Sequence, residues 1–280
     1  MELQRRSILT GLVAAAVCPI CLARSASAAG PGAHWTYEGP EGAEHWGDLS
    51  PDFKACSLGT QQSPIDLPRP VHAGLPPLTL RWRSFPLNVV NNGHTIEVPI
   101  PDASVNAEAQ TDDYEDVSPD AGSAPSSGYG TATEGGEVFM LKQFHFHHPS
   151  EHRVAGKGLP LEAHFVHLNQ AHTAALVVGV FIVAGDENPA LKKIWDNMPK
   201  TPGETRTALS INPAQLLPEQ RDRYRYEGSL TTPPCSEIIH WNVFRHPITA
   251  SAAQIKTFAG LFPNNARPLM PLNRRFVLKD

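Results

Sequence analysis

The stretch KQFHFHHPSEH, residues 142–152, holds four histidines, a glutamine and a glutamate within eleven positions. Successive side chains of a β-strand point to opposite faces. An extended reading therefore puts Gln143, His145 and His147 on one face and Phe144 and Phe146 on the other. One face packs a core, and the other presents two imidazoles two residues apart, which is the spacing of a chelate. A solvated His-rich loop would have no reason to alternate in this way. The H-x-H pair on a strand points to metal binding.

Two histidines do not hold a catalytic metal alone, and a second alternating run follows in LEAHFVHLN, 161–169. There Glu162, His164 and Val166 share a face. The intervening HPSEHRVAGKGLP carries the Pro and Gly of a hairpin-like reversal. An antiparallel neighbour would bring His164 beside His145 and His147. Three imidazoles with an open fourth position form a catalytic rather than a structural zinc set. Imidazole donors also suit zinc better than magnesium or calcium. His167 is out of phase with His164 and reads as structural, and His148 falls opposite His147. Metal-bound imidazoles need an acceptor on the second ring nitrogen. Gln143 and Glu162 stand two residues before His145 and His164, where such partners belong.

Outward from this pair the chain is a series of short strands separated by turns. Strand candidates are LNVVN near 89, TIEVPI near 97, 138–147, 161–169, 174–185, 237–246 and RRFVL near the C-terminus. The 27 prolines and 21 glycines lie mostly between these runs, as in a loop-rich β protein. Helical patterns are short and occur at 188–198 and 251–261. The expected fold class is α+β, with a large twisted, mostly antiparallel sheet and short peripheral helices. Residues 102–136 carry eight acidic side chains and no Lys or Arg. Such a composition buries too little apolar surface to offset the entropy of ordering, so this segment is expected to be a surface insertion.

The chain begins MELQRRSILTGLVAAAVCPICLARSASAAG. The Arg5–Arg6 pair, the short apolar run and the small residues Ala26, Ala28 and Ala29 predict an export signal over 1–29, of the twin-arginine type. Residues 30–280 then form one domain, destined for the periplasm or for secretion, with no stable membrane insertion. They carry 20 basic and 27 acidic side chains, a net −7. No basic tract supports nucleic-acid binding. Cys18 and Cys21 fall within the signal, leaving Cys56 and Cys235. In an oxidising compartment these suggest one disulfide, with two buried free thiols as the alternative.

QFHFH (143–147), SEH (150–152), EAHFVH (162–167) and SLTTPP (229–234) together resemble the α-class carbonic anhydrases. The resemblance runs from HWTYEG (34–39) and HWGDL (45–49) through QQSPIDL (61–67) and NNGHTIEV (91–98). It continues to GSLTTPPCSE (228–237) and RPLMPLNRR (267–275). It implies one Zn²⁺ per chain on His145, His147 and His164, and a lyase that hydrates CO₂ reversibly through a zinc-bound hydroxide. Carbonic anhydrase is itself the reference case for the lowering of a zinc-bound water's pKa to about 7. The resemblance also assigns Thr231 as acceptor of the hydroxide's proton and as donor to Glu151, an orienting group rather than a ligand. Thr232 would line the bicarbonate side, and Val166, Val177, Leu230 and Trp241 an apolar wall. His94 would shuttle protons, and Cys56–Cys235 would match a disulfide of secreted members. His148 replaces a Trp or Thr of some members, and the 102–136 segment is longer than the family's connection there. Whether the chain is a monomer or a homodimer stays open.

Two rival readings remain. A cupin-type metalloprotein would make Glu151 a ligand, but the Gly expected six positions before His145 is Phe139 and no second cupin motif precedes His164. A metal-free carbonic-anhydrase-like binding protein would lack a ligand histidine, whereas all three are present.

Overall fold

The histidine-bearing segment lies in the middle of a 13-stranded sheet. The computed structural model describes residues 33–67, 70–101 and 128–280. In chain order the first strands are β1 (Asp66–Leu67), β2 (Val71–His72), β3 (Leu78–Trp82), β4 (Phe85–Asn91) and β5 (Ile96–Pro99). Next come β6 (Gly130–Glu134), β7 (Glu137–His147), β8 (Arg153–Val154), β9 (Leu161–Asn169) and β10 (Ala175–Ala184). The series ends with β11 (Gly203–Ile211), β12 (Arg223–Gly228), β13 (Ile239–Phe244), β14 (Ile248–Ala250) and β15 (Leu278–Lys279). The α-helices are α1 (Trp46–Leu49), α2 (Ala55–Leu58), α3 (Pro189–Trp195) and α4 (Ala252–Leu261). The main path across the sheet is β11-β4-β5-β7-β9-β10-β13-β12-β15-β2, with β3, β6 and β14 attached and β1–β8 forming a separate pair. Within the large sheet, pairings are antiparallel except β10–β13, β10–β14 and β15–β2. The α+β expectation is met.

The alternation at the histidines is real, but it covers only half of β7. Phe139 and Leu141 are buried in the rear core, and so are Phe144 and Phe146. Odd positions face that core before Lys142 and even positions after it. The switch occurs at a bulge, where the β7–β9 register jumps between Leu141 and Gln143. An extra residue in one strand turns the following side chains over, and here it delivers Gln143, His145 and His147 to the front face. Behind them Phe146 packs edge-on against Trp195 of α3 at 4.8 Å, and Trp195 stacks on Phe258 of α4 at 5.3 Å. Full burial of each such side chain contributes about 2–3 kcal/mol.

Both long helices start where sequence signals put them. Asn188 caps α3 by accepting from the Ala190 and Leu191 amides, and Ser251 with Gln254 forms a capping box on α4. Gln254 also bonds both main-chain groups of Asn188, tying the helix starts together.

The 102–136 expectation needs correction at its end. Residues 130–134 are strand β6, paired with both β3 and β7. Gly130, Ala132 and Glu134 are buried, and Thr131 and Thr133 are less so. Glu134 is a buried carboxylate 3.5 Å from both Arg223 and Arg225, not a solvated charge. Residues 102–127 lie outside the described residues, as do residues 1–32, which include the expected export signal. No helix among the described residues is long and apolar enough to cross a membrane.

Candidate active site

A single transverse row of the front face carries the site. His145 on β7 stands opposite His164 on β9, which stands opposite Gly179 on β10 and then Val243 on β13. His147 is one step along β7 and pairs with Glu162. The three imidazoles offer nitrogens that all lie within 4.8 Å of one another. In each ring the second nitrogen is occupied. His145 Nδ1 bonds Gln143 Oε1 at 2.8 Å, His147 Nδ1 bonds the Asn265 carbonyl at 2.7 Å, and His164 Nε2 bonds Glu162 Oε1 at 3.0 Å. This leaves Nε2 of His145, Nε2 of His147 and Nδ1 of His164 to converge. Burial lowers His145 well below the usual imidazole range, and the neighbouring imidazoles add to this. Burial lowers His147 too, against the opposing pull of Glu151. Neutral imidazole is the ligand form.

Glu162 does more than its strand position suggests. Its Oε1 also bonds His152 Nδ1 at 2.7 Å, and its Oε2 accepts from the His152 amide. His152 Nε2 in turn meets the Tyr226 hydroxyl at 2.6 Å, and Tyr226 donates to Ser63. Burial alone would raise the Glu162 carboxyl, but His152 and His164 hold it well below the usual carboxylate range. Gly179 leaves room for it: a Cβ there would sit 3.1 Å from Glu162 Oε1 and 3.2 Å from Val243.

Glu151 is fully buried. Its Oε1 accepts from the Arg267 amide at 2.9 Å. Its Oε2 lies 3.5 Å from His147 Nε2 and 3.8 Å from His164 Nδ1 and has no hydrogen-bond partner. Thr231 is buried, and its hydroxyl is not bonded to that oxygen. His147 Nε2 is likewise buried without a partner. An unpaired buried polar atom costs about 1–3 kcal/mol, and a cation among the three nitrogens would remove that cost. The donor set fits zinc.

The profile of the family described as eukaryotic-type carbonic anhydrase matches residues 41–280. The chain belongs to the α-carbonic anhydrase family. A carbonic anhydrase from Pectobacterium atrosepticum is 39% identical, with 92% of this chain and 94% of the relative covered. Human carbonic anhydrase 7 is 35% identical over 87% of this chain and 96% of its own. Among solved structures, the α-carbonic anhydrase from Thermovibrio ammonificans in complex with the inhibitor sulfanilamide superposes with a TM-score of 0.77. It is 45% identical, covering 88% of this chain and 99% of that one. The chain is accordingly an enzyme, a carbonic anhydrase acting on CO₂ and bicarbonate, of a family that in general depends on zinc.

Val166, Val177 and Trp241 are cross-strand partners on the front face and join one apolar cluster, with Leu230 packed against it. Trp241 lies edge-on to His164 at 4.8 Å and donates to the Ser229 carbonyl. Thr231 is buried and Thr232 half-buried; the Thr232 carbonyl accepts from the Cys235 amide. His94 stacks flat on Trp35, ring centroids 3.8 Å apart, and burial with some repulsion from His34 lowers its pKa. Cys56 and Cys235 form the disulfide, closing a separation of 179 residues. His167 is structural, as expected: Trp82 donates to its Nε2, Nδ1 bonds the Leu176 carbonyl, and burial pulls its pKa down to about 4.

Asn265, His152, Arg267 and Glu97 were not singled out by sequence. The Asn265 side-chain Nδ2 donates to the His94 and Phe146 carbonyls while its main-chain carbonyl holds His147. No local pattern announces a main-chain acceptor. His152 was visible in SEH but not its contact with Glu162. Glu97, opposite His145 in the β5–β7 register, was visible only as a strand residue.

Proposed function

We propose that the protein is an exported zinc lyase that converts CO₂ and water to bicarbonate and a proton. The observation that carries this reading is the convergence of three imidazole nitrogens from His145, His147 and His164, each ring fixed through its other nitrogen. Zinc held there supplies the Lewis acidity that makes a water nucleophilic near neutral pH. Gln143, the Asn265 carbonyl and Glu162 keep the rings in the tautomer and tilt that ligation needs.

Glu151 keeps one oxygen on the Arg267 amide, so its free Oε2 is the acceptor left for the Thr231 hydroxyl. With its own proton committed to Glu151, Thr231 can only accept from the attacking water, and this selects which lone pair faces the carbon. Val166, Val177, Leu230 and Trp241 give a nonpolar linear substrate a surface without competing hydrogen bonds. Thr232 borders the side where the bicarbonate oxygens form. His94, half-buried at Trp35, accepts the released proton, and its lowered pKa favours passing it on to solvent.

Residues 1–29 direct export, and the Cys56–Cys235 disulfide suits an oxidising compartment outside the cytoplasm. The experiment is zinc analysis with CO₂ hydration on purified protein. His145→Ala, His147→Ala and His164→Ala should each lose most zinc and nearly all hydration. Glu151→Gln should keep its zinc while hydration falls about a hundredfold. Loss of zinc in Glu151→Gln would make Glu151 a ligand and overturn this assignment. Wild-type protein that holds zinc and does not hydrate CO₂ would overturn the reading altogether.

A further inference from the structure

Glu151 has one oxygen held and one free, so what holds the first oxygen decides where the second points. The holder is a main-chain amide, Arg267 N–H, at 2.9 Å. Residue 267 lies in no helix or strand, so no ladder of backbone bonds fixes that amide. The Arg267 side chain does. Its Nη1 donates to Gln62 Oε1 at 2.8 Å and to the Ser63 carbonyl at 2.9 Å, and its Nη2 donates to the Cys56 carbonyl at 2.9 Å. The guanidinium lies over the Trp46 ring at 5.4 Å, and the residue is 3% exposed.

Its anchors are themselves tied down. Gln62 Nε2 donates to the Cys235 carbonyl and to Glu237, so the Arg267 fork reaches main chain on both sides of the disulfide. Burial pushes the Arg267 guanidinium down to about 10, against the opposing charge of Glu151, and leaves it cationic at neutral pH. A buried cation with three carbonyl-type acceptors and no carboxylate in its fork is an expensive way to fill space. Its geometric product is a fixed amide at Glu151.

We infer that Arg267 is a positioning residue: its buried side chain fixes the main-chain N–H that holds Glu151 Oε1 and so keeps Oε2 aimed between His147 and His164. The inference rests on the reading of Glu151 as the orienting group. Arg267 acts through that carboxylate and touches neither substrate nor metal. Lysine keeps the charge but lacks the planar fork that reaches three acceptors at once.

A double-mutant cycle tests this, using Arg267→Lys, Glu151→Gln and the double variant, each assayed for zinc content, kcat and KM. A second readout is the pH midpoint of the visible spectrum after cobalt(II) substitution. Arg267→Lys should keep stoichiometric zinc, lower kcat about fivefold with KM little changed, and move the cobalt midpoint by about 0.3 pH. In the Glu151→Gln background the same substitution should change kcat less than about twofold and leave the midpoint in place. Equal losses in both backgrounds, or loss of metal, would make Arg267 merely structural and overturn the inference. Should Arg267→Lys not fold, Gln62→Ala removes one arm of the fork and must show the same dependence on Glu151, about twofold against none. Its absence overturns the inference as well. Failure of the underlying reading looks different, since Glu151→Gln alone would then strip the metal or leave kcat unchanged.

Discussion

Glu97 shares the ligand face of the sheet because it stands opposite His145, and directly opposed residues point the same way. Burial pushes its carboxyl up to about 7, the neutral form being cheaper there. Between pH 5 and pH 7 the folded protein therefore holds a proton that the unfolded chain, with an ordinary carboxyl, has released. Stability from this group is complete below the unfolded pKa and is lost as pH rises through about 7. In metal-free protein, Glu97→Gln should remove that loss and gain on the order of 2 kcal/mol over wild type on going from pH 5 to pH 8. Urea unfolding at the two pH values checks it, and parallel curves would mean that the carboxyl is effectively solvated. Gly179 makes the complementary case for space. A Cβ would crowd Glu162 Oε1 and Val243, and Glu162 orients His164 while bonding His152. Gly179→Ala should weaken zinc binding about tenfold, measured by competition with a chelator, since lost ligand partners typically cost that much. The ligand histidines, Gln143 and Glu162 were legible because strand alternation fixes face and offset. Asn265 and the Arg267 amide were not, because main-chain atoms carry no residue identity.

At the scale of elements, the bulge at Lys142 separates what sequence can and cannot reveal. The alternation from Gln143 to His147 is plain, but a strand whose parity changes midway reads as an ordinary apolar run through Phe139 and Leu141. Strands β11 and β12 escaped notice for a related reason. The first is an edge strand, exposed over most of its length, and the second places Arg223 and Arg225 where a buried strand would carry apolar residues. Both share Glu134 from a strand far away in sequence, with Asp280 also at Arg223 and Glu227 also at Arg225, and no local pattern reports the Glu134 contact. The disulfide makes the elemental prediction. It joins α2, which contains Cys56, to the loop after Thr232. Chain-entropy models give on the order of 5 kcal/mol for a loop of this length. Cys56→Ser or Cys235→Ser should lower the denaturation midpoint in urea accordingly, and titration of the unreduced, denatured protein should find no free thiol from this pair. Two reactive thiols would sink the claim.

Across the whole molecule, charge and fold are distributed differently from what composition suggests. Residues 102–127 carry seven acidic side chains and no basic one, equal to the whole net −7 of residues 30–280, yet the eighth carboxylate of the acidic segment, Glu134, belongs to the core. Burial would raise Glu134, but the His240 ring 3.8 Å away and the charges of Arg225 and Arg223 hold it below the usual carboxylate range. Two deletions should therefore behave in opposite ways. Joining Pro101 to Gly128 through a short Gly-Ser link removes the acidic stretch and keeps β6. Thermal stability should then fall by no more than a few degrees, with zinc content and CO₂ hydration within about twofold of wild type, because charge runs of this kind are usually solvated. Joining Pro101 to Glu137 removes β6 as well. That cut takes from β3 its strand partner, uncovers the rear core at Ala132, and leaves Arg223 and Arg225 without the Glu134 carboxylate. Removing one partner of a buried ion pair alone costs about 3–5 kcal/mol, a large share of the stability of an ordinary domain. The longer deletion should unfold far below the shorter one in a thermal scan and lose zinc at temperatures where the shorter one retains it. Equal melting of the two would show that β6 and its carboxylate add nothing to the fold.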